Sequence, residues 1–145
     1  MNIRKANLED LKEIVRLLNQ LSSSEEAEFG KLKNILDKII QDENYYLCVV
    51  EEGMELVGTG LLLIQMNLSH QGQPYGHIEN IVVDSNHRKK GVGKKIISYL
   101  IEKAKENNCY KVILDCKKEN VAFYEKCSFK ETGEVEMRLD PSNKS

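Results

Sequence analysis

The sequence predicts an α/β fold, with a mixed central sheet of about six to seven strands and helices on both faces. Strand-like and helix-like segments follow one another in the order β-α-α-β-β-β-α-β-α-β along the 145 residues. The middle strands form a meander and the later ones alternate with helices, which is typical of a mixed sheet. Since no linker or repeat divides the chain, we expect one domain over residues 1–140 and a polar tail over 141–145.

The first part of the chain predicts one strand and two helices. Residues 2–6 are strand-like, and Asn7 followed by Asp10 predicts a capped start for the first helix. Apolar residues at helical spacing predict that both helices face the core. The first stripe is Leu8, Leu11, Ile14, Val15, Leu18 and Leu21, and the second is Phe29, Leu32, Ile35, Leu36, Ile39 and Ile40.

The middle of the chain predicts three strands. Residues 45–50 are rich in β-branched and aromatic residues, and 55–66 form a mostly apolar run; the two predicted strands flank a turn at 51–54. A polar loop over 67–75 contains Gly and Pro, and the apolar run 76–83 predicts the third strand of this meander.

The last part alternates between helices and strands. A polar and basic segment, 84–90, precedes a helix over 91–106 with a short strand, 110–115, after it. Residues 119–127 predict a short helix and 129–139 a final strand or hairpin. The apolar spacing of the longest helix predicts that it buries Val92, Ile96, Ile97, Leu100 and Ala104.

Charge and hydropathy exclude two classes of partner. Acidic residues outnumber basic ones, 23 to 21, so the chain lacks the positive excess of a nucleic-acid-binding protein. Its most apolar stretch, 56–66, is far shorter than the roughly 20 residues that span a bilayer.

The cysteines and histidines do not form a metal-ligand pattern. No two of the four cysteines form a CxxC pair, and the three histidines are not spaced to complete a zinc site with them. No apolar signal segment is visible at the start, so we expect a cytoplasmic protein with reduced thiols.

A glycine-containing basic segment between a strand and a helix predicts an anion site. Two glycines let backbone N–H groups approach a phosphate closely, and a helix N-terminus adds unpaired donors and a positive dipole end. A basic loop with a flexible helix start explains the segment equally well, whereas the glycine spacing fits neither a P-loop nor a dinucleotide fingerprint. The segment comprises Arg88, Lys89, Lys90, Gly91, Val92, Gly93 and Lys94.

Two further places carry candidate chemistry. Glu79 lies inside the apolar strand that leads to the basic segment, either as a functional carboxylate or as a solvent-facing one. Asp115 ends a strand, and Tyr124 follows Asn120 by one helical turn. A phenol there can donate a proton to a leaving thiolate, although a half-buried aromatic residue and a helix cap are the simpler interpretation.

Taken together, these segments resemble the GNAT superfamily of acetyl-CoA-dependent N-acetyltransferases. The RxxGxG pattern at 88–93 is similar to its pyrophosphate motif, and Asn120-x-x-Phe123-Tyr124 is similar to its C-terminal motif. Residues 76–83, 108–116 and 120–127 resemble the glucosamine 6-phosphate N-acetyltransferases. The resemblance implies the GNAT fold, acetyl-CoA as co-substrate without a metal, an amino-sugar acceptor, and a homodimer whose C-terminal strands complete both active sites.

The resemblance also implies roles for individual residues. Tyr124 would protonate the CoA thiolate and Asp115 would orient the amine, while Glu79 is our candidate for accepting its proton. Backbone N–H groups near Asn80, at a bulge, would stabilise the oxyanion. The pantetheine arm would pair with Ile81, Val82 and Val83, and the remaining CoA-binding residues would be 88–94, Asn120 and Phe123. Because no acetyl-enzyme is needed, Cys116 and Cys127 are expected to be core thiols.

Four departures fall on the acceptor side. The family usually has Asp where this chain has Asn80, a glycine near Cys127-Ser128, and a basic chain end where Leu139-Asp140 follows Arg138. The segment 22–29 also matches poorly, and its acidic part, 24–28, would favour a cationic acceptor. Three alternatives therefore stay open. The acceptor could be another small amine (an amino acid, polyamine or aminoglycoside), or a protein or peptide, or the chain could bind acyl-CoA without catalysis.

Overall fold

A five-stranded sheet is the framework of the computed structural model. Neighbouring strands run antiparallel except the last pair, which is parallel, so the mixed sheet is confirmed with five strands instead of six to seven. In spatial as well as chain order the strands are β1 (Asn2–Lys5), β2 (Tyr45–Glu52), β3 (Glu55–Gln65), β4 (Tyr75–Val83) and β5 (Lys111–Ile113).

The structure describes residues 1–22 and 26–142, which fall into two compact units. The first, Met1–Leu114, contains the sheet and three helices, α1 (Leu11–Leu21), α2 (Phe29–Gln41) and α3 (Val92–Glu106). The second begins at Asp115 and contains α4 (Val121–Lys126). The expected acidic segment 24–28 and polar tail 141–145 lie partly outside the described residues.

The predicted cap at the start of α1 is confirmed. The Asn7 side chain accepts a hydrogen bond from the Glu9 amide at 3.0 Å, and the Asp10 carboxylate accepts one from the Asn7 amide at 2.8 Å. A short 3-10 turn, Leu8–Asp10, carries this capping box into the helix.

Helices α1 and α3 cover opposite faces of the sheet. Val49 of β2 packs with Ile14 and Leu17 of α1. The partner of Val49 across the ladder is Thr59, so the next residue of β3, Gly60, faces the other way. A Cβ on Gly60 would lie 2.5 Å from the Cγ2 atom of Ile96, which shows how closely α3 approaches that second face.

The predicted core is correct for α3 and only partly correct for the first two helices. All five residues predicted on the α3 stripe are buried. In α1 the buried residues are Ile14 and Leu17, whereas Leu21 in the last turn is exposed. Within α2 only Leu36 is buried among its described residues, because α2 contacts the sheet chiefly through a single strand, β2, which lies next to the edge strand β1.

The prediction of a final strand over residues 129–139 is wrong for the isolated chain. Residues 129–140 form no strand, and Val135, Met137 and Leu139 are 82%, 91% and 86% exposed. A strand exists only when a neighbour satisfies its backbone groups, and none of the described residues pairs with this segment. The missing strand is also why the sheet is smaller than predicted.

Candidate active site

A bulge interrupts β4 at the predicted position. Leu61 of β3 pairs with Glu79 and Thr59 pairs with Val82, so two residues of β4 stand opposite the single Gly60. Asn80 within the bulge has a φ of 55°, the left-handed region that non-glycine residues seldom adopt. The backbone amides of a bulge are released from the regular ladder, and Glu79 and Asn80 are both exposed there.

Beyond the start of β4, the edge of this strand has no neighbour within the described sheet. β5 pairs only with Tyr75, Gly76 and His77. From Ile78 to Val83, the side of β4 facing away from β3 offers backbone groups without a paired strand. An extended ligand with amide groups can bind such an edge by adding to the sheet.

The basic segment follows directly from this open edge. A 3-10 turn, Ser85–His87, leads into Arg88, Lys89 and Lys90, all of which are exposed. The Nε atom of Arg88 donates to the carbonyl oxygen of Val83 at 3.4 Å, which keeps the loop close to the end of the strand. Three lysine and arginine side chains therefore lie immediately before α3.

The start of α3 is open to an anion. Gly91, with a φ of 84°, is its N-cap residue and offers no side chain to cap it, and the first turn contains no acidic residue. The first amides of a helix lack partners within the helix and carry the positive end of its dipole. A groove of about 590 Å³ adjoins Gly91 and is lined in part by Lys94, Lys95 and Lys103.

The second unit contains the C-terminal motif. Asp115 is exposed, and a 3-10 turn, Lys118–Asn120, leads into α4. Asn120 stands at the N-cap position of α4, yet its side chain makes no capping hydrogen bond. The alternative prediction that the Asn120 side chain caps α4 is therefore wrong. Its amide group is exposed and does not stabilise the start of the helix.

Tyr124 is the half-buried aromatic residue of this unit. Its ring meets those of Phe123 and Phe129 edge to face, with centroids 5.0 and 6.1 Å away. Burial raises the pKa of the Tyr124 phenol, and the Cys116 and Cys127 thiols raise it further. The phenol is therefore a neutral hydrogen-bond donor at physiological pH.

The structure separates side-chain roles from backbone roles among the predicted residues. Val82 and Val92 are buried in the core of the first unit, so only their backbone can contact a ligand. Glu79, Ile81–Val83 and the basic segment are brought together along one strand and the loop that follows it. The predicted residues from Asp115 onward belong to the second unit.

The expectation that Cys116 and Cys127 are core thiols is wrong for Cys116 and only partly met by Cys127. Cys116 is exposed and Cys127 half-buried, because the short α4 cannot enclose them. Cys48 is the fully buried thiol, and burial raises its pKa to about 12. Cys48, Cys109 and Cys116 form no disulfide.

Sequence reasoning missed a hydrogen-bonded cluster at the end of β4. The Asp84 carboxylate is buried and accepts hydrogen bonds from Arg16, Gln20 and His87. The bonds from Gln20 and His87 hold the pKa of Asp84 well below its usual range. Arg16 lies 68 residues from Asp84, so no local pattern reveals the pair.

Two kinds of feature are absent from the described residues. No cluster of His, Cys, Asp or Glu in residues 1–22 and 26–142 could hold a metal ion. Among the helices that the structure describes, none is long and apolar enough to span a membrane.

Comparisons with known proteins assign the chain to a family. Residues 10–129 match the acetyltransferase (GNAT) family. A glucosamine 6-phosphate N-acetyltransferase from Candida albicans is 37% identical over 86% of this chain and 83% of that protein. An enzyme of the same name from Trypanosoma brucei brucei is 34% identical over 97% of this chain and 95% of that protein.

Solved structures agree with this assignment. The crystal structure of glucosamine-6-phosphate N-acetyltransferase from Arabidopsis thaliana superposes with a TM-score of 0.91 at 33% identity, covering 97% of both chains. The family match covers well over half of the chain, and the folds coincide along almost all of it. The chain therefore belongs to the GNAT family of acetyltransferases, which confirms the predicted enzyme class, an N-acetyltransferase.

Proposed function

We propose that this enzyme transfers the acetyl group of acetyl-CoA to the amine of glucosamine 6-phosphate. The names of relatives that are 34% and 37% identical over most of the chain support the acceptor. The observation that carries the donor is the bulge at Asn80, which lies on an open strand edge leading into a basic loop.

The donor is bound largely by backbone. The amides at the start of α3, together with Arg88, Lys89 and Lys90, bind the pyrophosphate. The open edge of β4 at residues 81–83 pairs with the amide groups of the pantetheine arm, as an added strand would. Because the donor is bound by backbone groups, Val82 and Val92 can belong to the site while their side chains are buried in the core.

Glu79 and the bulge serve the reacting centre. The amine must lose a proton to attack the thioester carbonyl, and the exposed Glu79 carboxylate accepts that proton directly or through water. The nitrogen–carbon bond forms as the carbon–sulfur bond breaks. Amides released by the bulge at Asn80 donate to the acetyl oxygen as negative charge develops on it, and one such donor is typically worth about 3 kcal/mol of barrier.

Asp115 and Tyr124 complete the proposed roles. Asp115 accepts a hydrogen bond from the amine and orients it. Tyr124 donates its phenolic proton to the departing CoA thiolate, and its raised pKa keeps that proton available at neutral pH. Acetyl-CoA supplies the acetyl group as an activated thioester, so no cysteine of the enzyme has to carry it.

We also propose a homodimer built through the C-terminal segment. Val135, Met137 and Leu139 alternate with polar residues, so a strand made from this segment would have one apolar side. These three side chains are more than four-fifths exposed in the single chain. Pairing with a second copy would bury them and satisfy the backbone of a segment that has no partner strand among the described residues.

A thiol-release assay tests the proposed acceptor. The enzyme and acetyl-CoA are mixed with glucosamine 6-phosphate, glucosamine, amino acids or polyamines, and free CoA is measured. We expect kcat/KM for the phosphorylated sugar to exceed that for glucosamine by at least about tenfold, since charge-assisted contacts to a phosphate are strong. Turnover of a different amine would replace the acceptor and keep the enzyme class. Binding of acetyl-CoA with no turnover would contradict a catalytic role.

A further inference from the structure

The buried carboxylate of Asp84 joins helix α1 to the basic loop. It stands at the last turn before the loop and is only 4% exposed. Its Oδ1 atom accepts from Arg16 Nη1 at 3.1 Å and from Gln20 Nε2 at 2.9 Å. Its Oδ2 atom accepts from the Asn86 amide at 3.2 Å and from His87 Nδ1 at 2.8 Å. One oxygen therefore faces α1 and the other faces the loop.

Further contacts fix both sides of this bridge. Gln20 also accepts from the Ser85 amide through its side-chain oxygen at 3.0 Å, so its amide group holds the loop at two points. Arg16 Nη2 donates to the Leu56 carbonyl oxygen at 2.9 Å, which anchors it to β3. The second ring nitrogen of His87 lies 3.8 Å from a carboxylate oxygen of Glu52 at the end of β2.

Residues 84–87 immediately precede the 88–94 loop, which contains backbone conformations of positive φ. Lys89 and Gly91 both adopt positive φ values, 63° and 84°. For Lys89, which carries a side chain, such a conformation persists only where the surrounding structure determines it, whereas glycine adopts it readily. The exposed side chains of Arg88, Lys89 and Lys90 supply no such restraint to one another, because they repel.

We infer that Asp84 is a positioning residue for the pyrophosphate of the acetyl donor: by binding α1 with one oxygen and residues 86–87 with the other, it holds the 88–94 loop in its anion-binding conformation. This inference rests on the proposed use of acetyl-CoA. Asp84 itself touches no reacting atom, so its loss should weaken donor binding and leave the chemical step intact.

Replacement by asparagine tests both oxygens at once. Asparagine has nearly the same shape as aspartate, but an amide nitrogen, which can only donate, replaces one of the two acceptor oxygens. Whichever way the amide turns, the donors of either α1 or the loop lose their acceptor. We expect Kd for acetyl-CoA, measured calorimetrically, to rise about tenfold, the effect of losing hydrogen bonds to a charged group. At saturating donor, kcat should stay within about twofold of the wild-type value.

A second buried carboxylate provides the matched control. Asp10 is 7% exposed and accepts from Arg4 at 2.7 and 2.8 Å. It also accepts from the Asn7 amide at 2.8 Å as the third residue of a capped 3-10 turn, whereas Asp84 is the N-cap residue of its own turn. It makes no hydrogen bond to the basic loop among the contacts described. Asp10→Asn should lower Tm as Asp84→Asn does, yet leave Kd for acetyl-CoA unchanged. Equal weakening by both substitutions would overturn the inference in favour of general destabilisation.

A truncated donor separates the loop from the rest of the site. Acetyl-pantetheine has the thioester and amides of acetyl-CoA but lacks the pyrophosphate. Asp84→Asn should lower kcat/KM about tenfold for acetyl-CoA and by less than about twofold for acetyl-pantetheine. Equal losses with both donors, or unchanged affinity for acetyl-CoA, would contradict the inference.

A second variant and the wild-type enzyme distinguish the remaining outcomes. If Asp84→Asn does not fold, Gln20→Ala removes contacts on the α1 side from an exposed position, and unchanged acetyl-CoA affinity in that variant would overturn the inference. Failure of the proposed donor looks different, because the wild-type enzyme would then not bind acetyl-CoA. Failure of the proposed acceptor would leave acetyl-CoA binding by the wild-type enzyme intact and would change only which amine is turned over.

Discussion

Tyr124 has the two properties that a proton donor to a thiolate requires. A free tyrosine has a pKa of about 10, and burial raises that of Tyr124, so the phenol keeps its proton at any physiological pH. Its ring packs against Phe123 and Phe129, which fixes the position of the hydroxyl group independently of any ligand. The hydroxyl can therefore be removed without removing the packing.

Substitution of Tyr124 by phenylalanine should impair the chemical step selectively. We expect Tyr124→Phe to lower kcat about 100-fold, the lower range for loss of a general acid, with little change in KM for acetyl-CoA. Stopped-time thiol release at saturating substrates measures the effect. Tyr46→Phe is the control, since it loses a comparable hydroxyl that accepts from Asn107 at 2.9 Å in the first unit. Unchanged kcat in Tyr124→Phe would remove this residue from the chemistry.

Individual residues also show what the sequence could not reveal. Glu79 and Tyr124 could be proposed from the sequence because each lies in a short local motif. The buried role of Asp84 was not, because its partners on α1 are 64 and 68 residues away and come together only through the sheet. The turn-forming Asp-Ser-Asn at 84–86 was the one available signal, since Asp84 accepts from the Asn86 amide.

The start of α3 depends on one backbone conformation. Gly91 has a φ of 84°, and a Cβ added there would meet no heavy atom within 4 Å. A larger residue therefore suffers backbone strain, of about 1–2 kcal/mol, without crowding. Gly91 is the N-cap residue of α3, so strain here should disturb the first amides of the helix and weaken binding of the proposed donor.

A series at position 91 separates strain from charge. Gly91→Asn should bind acetyl-CoA more tightly than Gly91→Ala, because asparagine tolerates the left-handed region better. Gly91→Glu should abolish binding, since it adds negative charge beside the pyrophosphate as well as strain. Calorimetric titration with acetyl-CoA measures the order. Wild-type affinity in Gly91→Glu would show that the anion site lies elsewhere.

Elements whose partners lie in the same chain were predictable from periodicity. The five buried residues of α3 repeat at helical spacing because that helix packs on the centre of the sheet. Helix α2 has an equally regular stripe, yet it buries only Leu36 completely among its described residues. A stripe records which side of a helix is apolar and does not record how much surface the rest of the fold supplies to cover it.

The whole molecule explains the one strand that was predicted and is absent. Residues 129–139 have the alternating pattern of a strand, but a strand needs a hydrogen-bonding neighbour, which the described part of this chain does not provide. The pattern is consistent with a partner outside the chain. The proposed dimer would turn three exposed apolar side chains into part of an interface and add the strand that the sheet prediction anticipated.

The proposed dimer predicts that charge on this segment separates the subunits. Met137→Lys with Leu139→Lys places two ammonium groups on the apolar side of the segment, where burial against a second copy would cost several kcal/mol. We expect light scattering to show a dimer for the wild-type enzyme and a monomer for the double variant. If the C-terminal strands complete both active sites, the double variant should lose acetyl transfer as well.

Met54→Lys is the control for this experiment, because Met54 is at least as exposed but lies in the turn between β2 and β3. It should stay dimeric and active. A wild-type enzyme that is monomeric at micromolar concentration, or a double variant that stays dimeric, would contradict pairing through residues 135–139. Dissociation with full activity would keep the interface and show that each active site is complete within one chain.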